Sequence, residues 1–161
     1  ILRAHGSEPK YHHAVVGGNF RLDALQAALL HVKLPLVEAE LAGRRQNAAR
    51  YAEAFAALTE LRLPPAHPEH TYNQYVVRVP GRIRDKVRNE LQARKIGTEI
   101  YYPLCLHMQE CFKSLGYTPG AFPQSERAAL ETIALPVYGE MSTAQRQWVA
   151  ESLVEIVRKL A

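Results

Sequence analysis

Three short stretches of this sequence hold side chains whose types and spacing suit chemistry. In Gly17-Gly18-Asn19-Phe20-Arg21, two glycines remove steric bulk and permit a tight turn just before an amide and a guanidinium. An amide placed after such a turn can approach an anion closely, and a guanidinium can chelate phosphate or carboxylate. Asn19 equally suits the N-cap of a helix opening near Phe20, and Arg21 suits a solvated helix face; read alone, Asn19 favours the cap. In Tyr101-Tyr102-Pro103, two phenols stand at an expected strand end, where side chains either project into a cleft or pack on a sheet. A phenol donates and accepts at neutral pH but does not titrate there as imidazole does. The third stretch is Leu104-Cys105-Leu106-His107 with Cys111 close behind. This Cys-x-His-x-x-x-Cys cluster has no fourth partner and fits no established zinc spacing, so no metal site is expected. His12 and His13 would point to opposite faces of a strand and could not share a metal.

The elements that must position these residues follow from the periodicity. A short strand is expected near Tyr11–Val16, followed by a turn at Gly17-Gly18. Leu22, Leu25, Leu29 and Val32 recur at helical spacing until Pro35 interrupts, and a second helix passes through Leu41, Ala48, Ala52, Phe55 and Leu58. Pro64-Pro65 and Pro68 mark a linker. Beyond it, Tyr75, Val77 and Val79 alternate as in a strand, and Ile83, Val87 and Leu91 line one helix face. A second strand is expected over Ile96–Tyr101, a helix near Pro123–Thr132 and an apolar run at Ile133–Val137. In the closing helix, Ser142 and Gln145 form a capping-box pattern, with Val149, Leu153, Ile156, Val157 and Leu160 as its apolar stripe. Phe112, Phe122 and Trp148 read as core. The order predicts an α+β fold, a small sheet covered by helices, with three regions: an arm over 1–20, a long bent helical stem over 21–63 and a C-terminal α+β domain over 64–161.

Composition narrows the classes. With 161 residues, 47% hydrophobic and 22% charged, the chain suits one soluble core. A formal charge of +4 suits an anionic ligand, yet the basic residues are interspersed with acidic ones. A DNA-binding reading would use Arg82, Arg84, Lys86, Arg88, Arg94 and Lys95, but a strand pattern follows where a helix-turn-helix needs its second helix. No nucleic-acid partner and no membrane partner are expected. Two cysteines are too few for a disulfide framework, which fits the cytoplasm.

The segment from Gly17 through Asn19 and Arg21 to Leu25-Gln26-Ala27-Ala28 is followed by Tyr101-Tyr102-Pro103-Leu104 with Leu106-His107. Then come Phe122-Pro123 with Glu126 and Leu135-Pro136-Val137-Tyr138. In order and approximate spacing these resemble the DegT/StrS aminotransferases, over essentially the whole chain. The resemblance implies the C-terminal portion of a fold-type-I enzyme, whose large domain carries pyridoxal phosphate and a Schiff-base lysine. It also implies that Asn19 reaches the cofactor phosphate in a neighbouring subunit and that Arg21 faces the anionic part of a nucleotide-sugar substrate. Tyr101 and Tyr102 would contact the sugar, although many members carry His where Tyr101 stands, and His107 would belong to the substrate pocket. The complete enzyme would move an amino group from an amino acid, commonly glutamate, to a nucleotide-linked keto-sugar. Lys10, Lys33, Lys86, Lys95, Lys113 and Lys159 lack the context of the cofactor lysine, so the isolated chain is expected to be inactive and to bind no cofactor. An alternative is a non-catalytic module that dimerises through arm and stem, since residues 22–34 present an apolar face without a partner.

Overall fold

A computed structural model describes residues 1–5, 7, 8 and 15–160. The strand expected near Tyr11–Val16 lies largely outside the described residues, as do His12 and His13. Contacts divide the chain into two compact units, Ile1–Glu38 and Ala39–Ala161.

In the first unit, an isolated antiparallel bridge joins Ala4 to Asn19. It is flanked by backbone bonds from His5 N–H to the Gly18 carbonyl at 3.0 Å and from Gly18 N–H to the Leu2 carbonyl at 3.0 Å. Helix α1 (Ala24–Lys33) follows, capped by Asp23, whose carboxylate accepts from Leu25 N–H at 2.8 Å and Gln26 N–H at 3.4 Å. Asn19 is therefore not the cap, because the backbone turns helical only after Asp23. No residue of α1 is buried. A 3-10 turn at Leu34–Leu36 accommodates Pro35, and α2 (Val37–Phe55) continues the helical run.

The second unit holds the core. Strands β1 (Tyr75–Arg78) and β2 (Thr132–Leu135) pair antiparallel, with Tyr75 opposite Leu135 and Arg78 opposite Thr132. Their helical partners are α3 (Gly81–Ala93), α4 (Pro123–Glu131) and α5 (Thr143–Leu160). Helix α3 packs against α4, α5 and β2, placing Ile83, Val87 and Leu91 in the core as their spacing predicts. The capping box of α5 forms in both directions: Ser142 N–H donates to Gln145 Oε1 at 2.9 Å, and Gln145 N–H to Ser142 Oγ at 3.2 Å.

Three findings bear on the expected elements. First, contacts divide the chain at Glu38/Ala39, and Ala48, Tyr51 and Phe55 of α2 belong to the same buried cluster as Tyr75 and Ile133. The Tyr51 ring lies 5.2 Å from that of Tyr75, and its hydroxyl donates to the Pro136 carbonyl at 3.0 Å. Burial lifts the Tyr51 phenol well above its ordinary range. Second, Ile96–Tyr101 is not a strand: Ile96 and Ile100 are buried, but only Glu99 bridges to Ala134. Lys95 stands at φ +63° just before, so the segment turns onto the sheet and touches it at one residue. Third, Phe112, Phe122 and Trp148 are exposed at the surface and are not core.

Candidate functional site

The Gly-rich loop of the first unit brings Asn19 and Arg21 together. Arg21 Nε donates to Asn19 Oδ1 at 2.8 Å, with both side chains exposed. This orients the amide, so Nδ2 is the donor Asn19 can still offer to an anion. A Cβ on Gly18 would stand 2.7 Å from Phe20 Cζ, so glycine lets that ring fold over the turn.

In the second unit, Tyr101 and Tyr102 follow the buried Ile100 and are joined to each other by a cis peptide bond, with ring centroids 6.0 Å apart at 81°. Tyr101 lines a cleft of about 460 Å³, and Tyr102 projects into solvent. The cleft runs along the open side of β2, where Asn73, Gln74, Thr98 and Glu99 supply polar groups and residues 134–137 an apolar floor. Asn73 and Gln74 reach it because Tyr72, at φ +44°, turns the chain into β1; the stacking of His70 on Tyr72 at 4.0 Å and the bond from Tyr72 N–H to His70 Nδ1 hold that turn. Sequence reasoning missed these four residues. Their one signal is polarity at the ends of apolar segments, and that does not say that the ends converge.

His107 has a different setting. Its side chain is almost covered, with Nε2 3.1 Å from Glu126 Oε1 and its ring 4.8 Å from that of Phe122. Glu126 also accepts from Gly120 N–H, 2.9 Å from each carboxylate oxygen, and from Phe122 N–H at 3.2 Å. The Gly120 amide above all, with Phe122 N–H and His107 adding to it, holds the Glu126 carboxyl below the usual range against a smaller opposing effect of burial. His107 thus ties residues 105–122 to α4 and does not share the cleft lining described around Tyr101.

Arg84 of α3 is buried, donating to the carbonyls of Ala129 at 3.0 Å and Thr132 at 3.1 Å, and Arg94 pairs with Glu155 at 2.8 Å. Cys105 is a buried free thiol. Among the described residues no cluster of three or more His, Cys, Asp or Glu could hold a metal ion, and no helix is long and apolar enough to cross a membrane. The described lysines 33, 86, 95, 113 and 159 are all exposed.

Comparison with known proteins supplies the remaining facts. The profile of the DegT/DnrJ/EryC1/StrS aminotransferase family matches residues 1–154. The chain is 41% identical to a pleiotropic regulatory protein of Geobacillus stearothermophilus, covering 100% of this chain and 44% of that protein. It is 38% identical to the UDP-N-acetyl-3-dehydro-alpha-D-glucosamine 3-aminotransferase of Acidithiobacillus ferrooxidans, covering 89% and 38%. In structure it is similar to DesV of S. venezuelae, solved in complex with a ketimine intermediate, with a TM-score of 0.86 at 31% identity over 96% of this chain and 42% of that one. The chain thus spans less than half the length of these relatives.

Proposed function

Since the chain belongs to the DegT/DnrJ/EryC1/StrS aminotransferase family, we propose that it is the C-terminal portion of a cytoplasmic enzyme that transfers an amino group from glutamate to a nucleotide-linked keto-sugar. The family's members are pyridoxal-phosphate enzymes. The observation that carries the reading is the match over residues 1–154, which includes the Asn19–Arg21 loop and the Tyr101–Tyr102 segment.

The residues present suit one part of the cofactor. Asn19, its Oδ1 engaged by Arg21, offers an amide N–H to the phosphate of a cofactor bound in a neighbouring subunit. Arg21 offers the rest of its guanidinium to the substrate diphosphate. Tyr101 and Tyr102 contact the sugar, Tyr101 from the cleft wall, and His107 serves the site by holding residues 105–122 through Glu126. When bound, pyridoxal phosphate supplies the electron sink for moving the amino group. The glutamate becomes 2-oxoglutarate as the sugar ketone becomes an amine.

The isolated chain does not transaminate in this reading. A Schiff-base lysine needs a desolvated pocket to lose its proton, and the described lysines are all exposed. A dimerising role draws on α1, none of whose residues is buried, and is compatible with the same assembly.

The full-length gene product given glutamate and a keto-sugar nucleotide is expected to form 2-oxoglutarate and amino sugar one for one. No 2-oxoglutarate above the no-sugar control would overturn the proposal. For Asn19→Ala, the pyridoxal phosphate concentration giving half-maximal activity should rise about tenfold, as loss of one charge-assisted hydrogen bond implies. For the 161-residue chain, borohydride trapping should yield no stoichiometric adduct at one lysine.

A further inference from the structure

The cleft beside Tyr101 has a one-sided electrostatic character. Among the described residues that line it, Glu99 is the single charged side chain; Asn73, Gln74, Thr98 and Tyr101 are neutral hydrogen-bonding groups. Amides and hydroxyls both donate and accept, as sugar hydroxyls do, so each suits a polyol. A carboxylate only accepts, so it suits a hydroxyl and opposes another carboxylate.

Glu99 is held in place twice. Its backbone pairs with Ala134 in both directions, at 3.3 Å and 2.7 Å, which fixes this segment to β2 at that residue. Its Oε1 then accepts from Ile100 N–H at 2.9 Å, and Ile100 is buried in turn. The carboxylate therefore cannot leave the cleft wall without giving up that bond. Among the described residues, no lysine or arginine lines the cleft to neutralise a second negative charge.

We infer that this cleft selects a sugar ring bearing no carboxylate, with Glu99 rejecting uronic acids while accepting from the hydroxyls of neutral hexoses. The inference rests on the reading that the cleft takes the sugar of a nucleotide-linked substrate. Two carboxylates about 5 Å apart in a partly solvated cleft repel strongly enough to weaken binding about tenfold. Specificity of this kind comes from a repulsive element and not from added attraction.

The test compares UDP-glucose and UDP-glucuronate as competitive inhibitors of the full-length enzyme. They share the nucleotide and differ only in the group carried on the ring. UDP-glucose should bind about tenfold more tightly to the wild type, and added salt should narrow the gap. Glu99→Gln should bring the two constants within about twofold, chiefly by tightening UDP-glucuronate; the amide oxygen can still accept from Ile100 N–H, so the thermal midpoint should hold. Equal inhibition of the wild type, or a ratio unchanged in Glu99→Gln, would overturn the inference alone. Inhibition by neither sugar, with transamination intact, would overturn it together with the reading beneath it.

Discussion

In α1, Leu25, Leu29 and Val32 recur at helical spacing and are 72%, 60% and 72% exposed; in α5, Val149, Leu153 and Ile156 recur in the same way and are 4%, 0% and 1% exposed. The two patterns are alike on paper and opposite in outcome. Periodicity specifies which face of a helix is apolar, and the rest of the chain decides whether anything covers it. In residues 39–161, α2, β1, α3 and β2 share the buried cluster with the stripe of α5, whereas among the described residues of 1–38 none buries α1. The second unit is thus a self-sufficient core. In the first, the apolar residues Leu25, Leu29 and Val32 stand exposed.

The largest effect that would break this comparison is a pair of truncations in the 161-residue chain. Leu153→Ala should lower the free energy of urea unfolding by about 3 kcal/mol, the usual result of emptying a fully buried leucine site. Leu29→Ala should change it by no more than about 0.5 kcal/mol and should improve solubility. Equal losses would show that α1 is as much a part of the core as α5.

A smaller effect sharpens the comparison through two crowded glycines. A Cβ on Gly43 of α2 would stand 2.5 Å from the Gly139 carbonyl oxygen, and one on Gly139 would stand 2.8 Å from Glu40 Cα. Those neighbours are backbone and cannot rotate away, so Gly43→Ala should cost about 2 kcal/mol through displacement of the 138–140 loop. Gly18 in the first unit is crowded too, but by the far end of the exposed Phe20 ring. Gly18→Ala should therefore shift the unfolding midpoint hardly at all while moving the ring, an effect visible in the Phe20 proton shifts. Equal destabilisation by both substitutions would contradict a rigid second unit beside a locally adaptable first.

The same contrast explains what was legible in the sequence. Signals confined to a few residues came through: the capping box of α5, the faces of α3 and α5, and the alternation of β1. Signals that depend on distant partners did not. Ile96–Tyr101 alternates like a strand, yet the sheet meets it only at Glu99. The prolines at 64, 65 and 68 look like a boundary, yet Arg62 just before them bridges to Arg78 of β1. Of the cleft lining, Tyr101 stood out in the sequence through the family resemblance, whereas Asn73, Gln74 and Glu99 join it from segments that only the fold brings together.

Polar contacts repeat the contrast and give the smallest expected effect. In the first unit, the described side-chain bonds of Arg21 with Asn19 and of Asp23 with Leu25 and Gln26 reach at most three residues along the chain. In the second, Glu126 joins His107 across nineteen. The hydrogen bonds from Gly120 N–H, then Phe122 N–H and His107, hold the folded carboxyl below the usual carboxylate range, so the unfolded chain binds the proton more readily. The contribution of Glu126 is therefore fully present above the ordinary carboxylate range and is lost as pH falls through the lower folded value. Thermal midpoints of wild type and Glu126→Gln should differ most near neutral pH and converge in acid, with the wild type falling more steeply. Parallel curves from neutral pH into acid would mean that Glu126 is an incidental surface group, and that residues 105–122 owe their order to the packing of Phe122 and Tyr117 on His107.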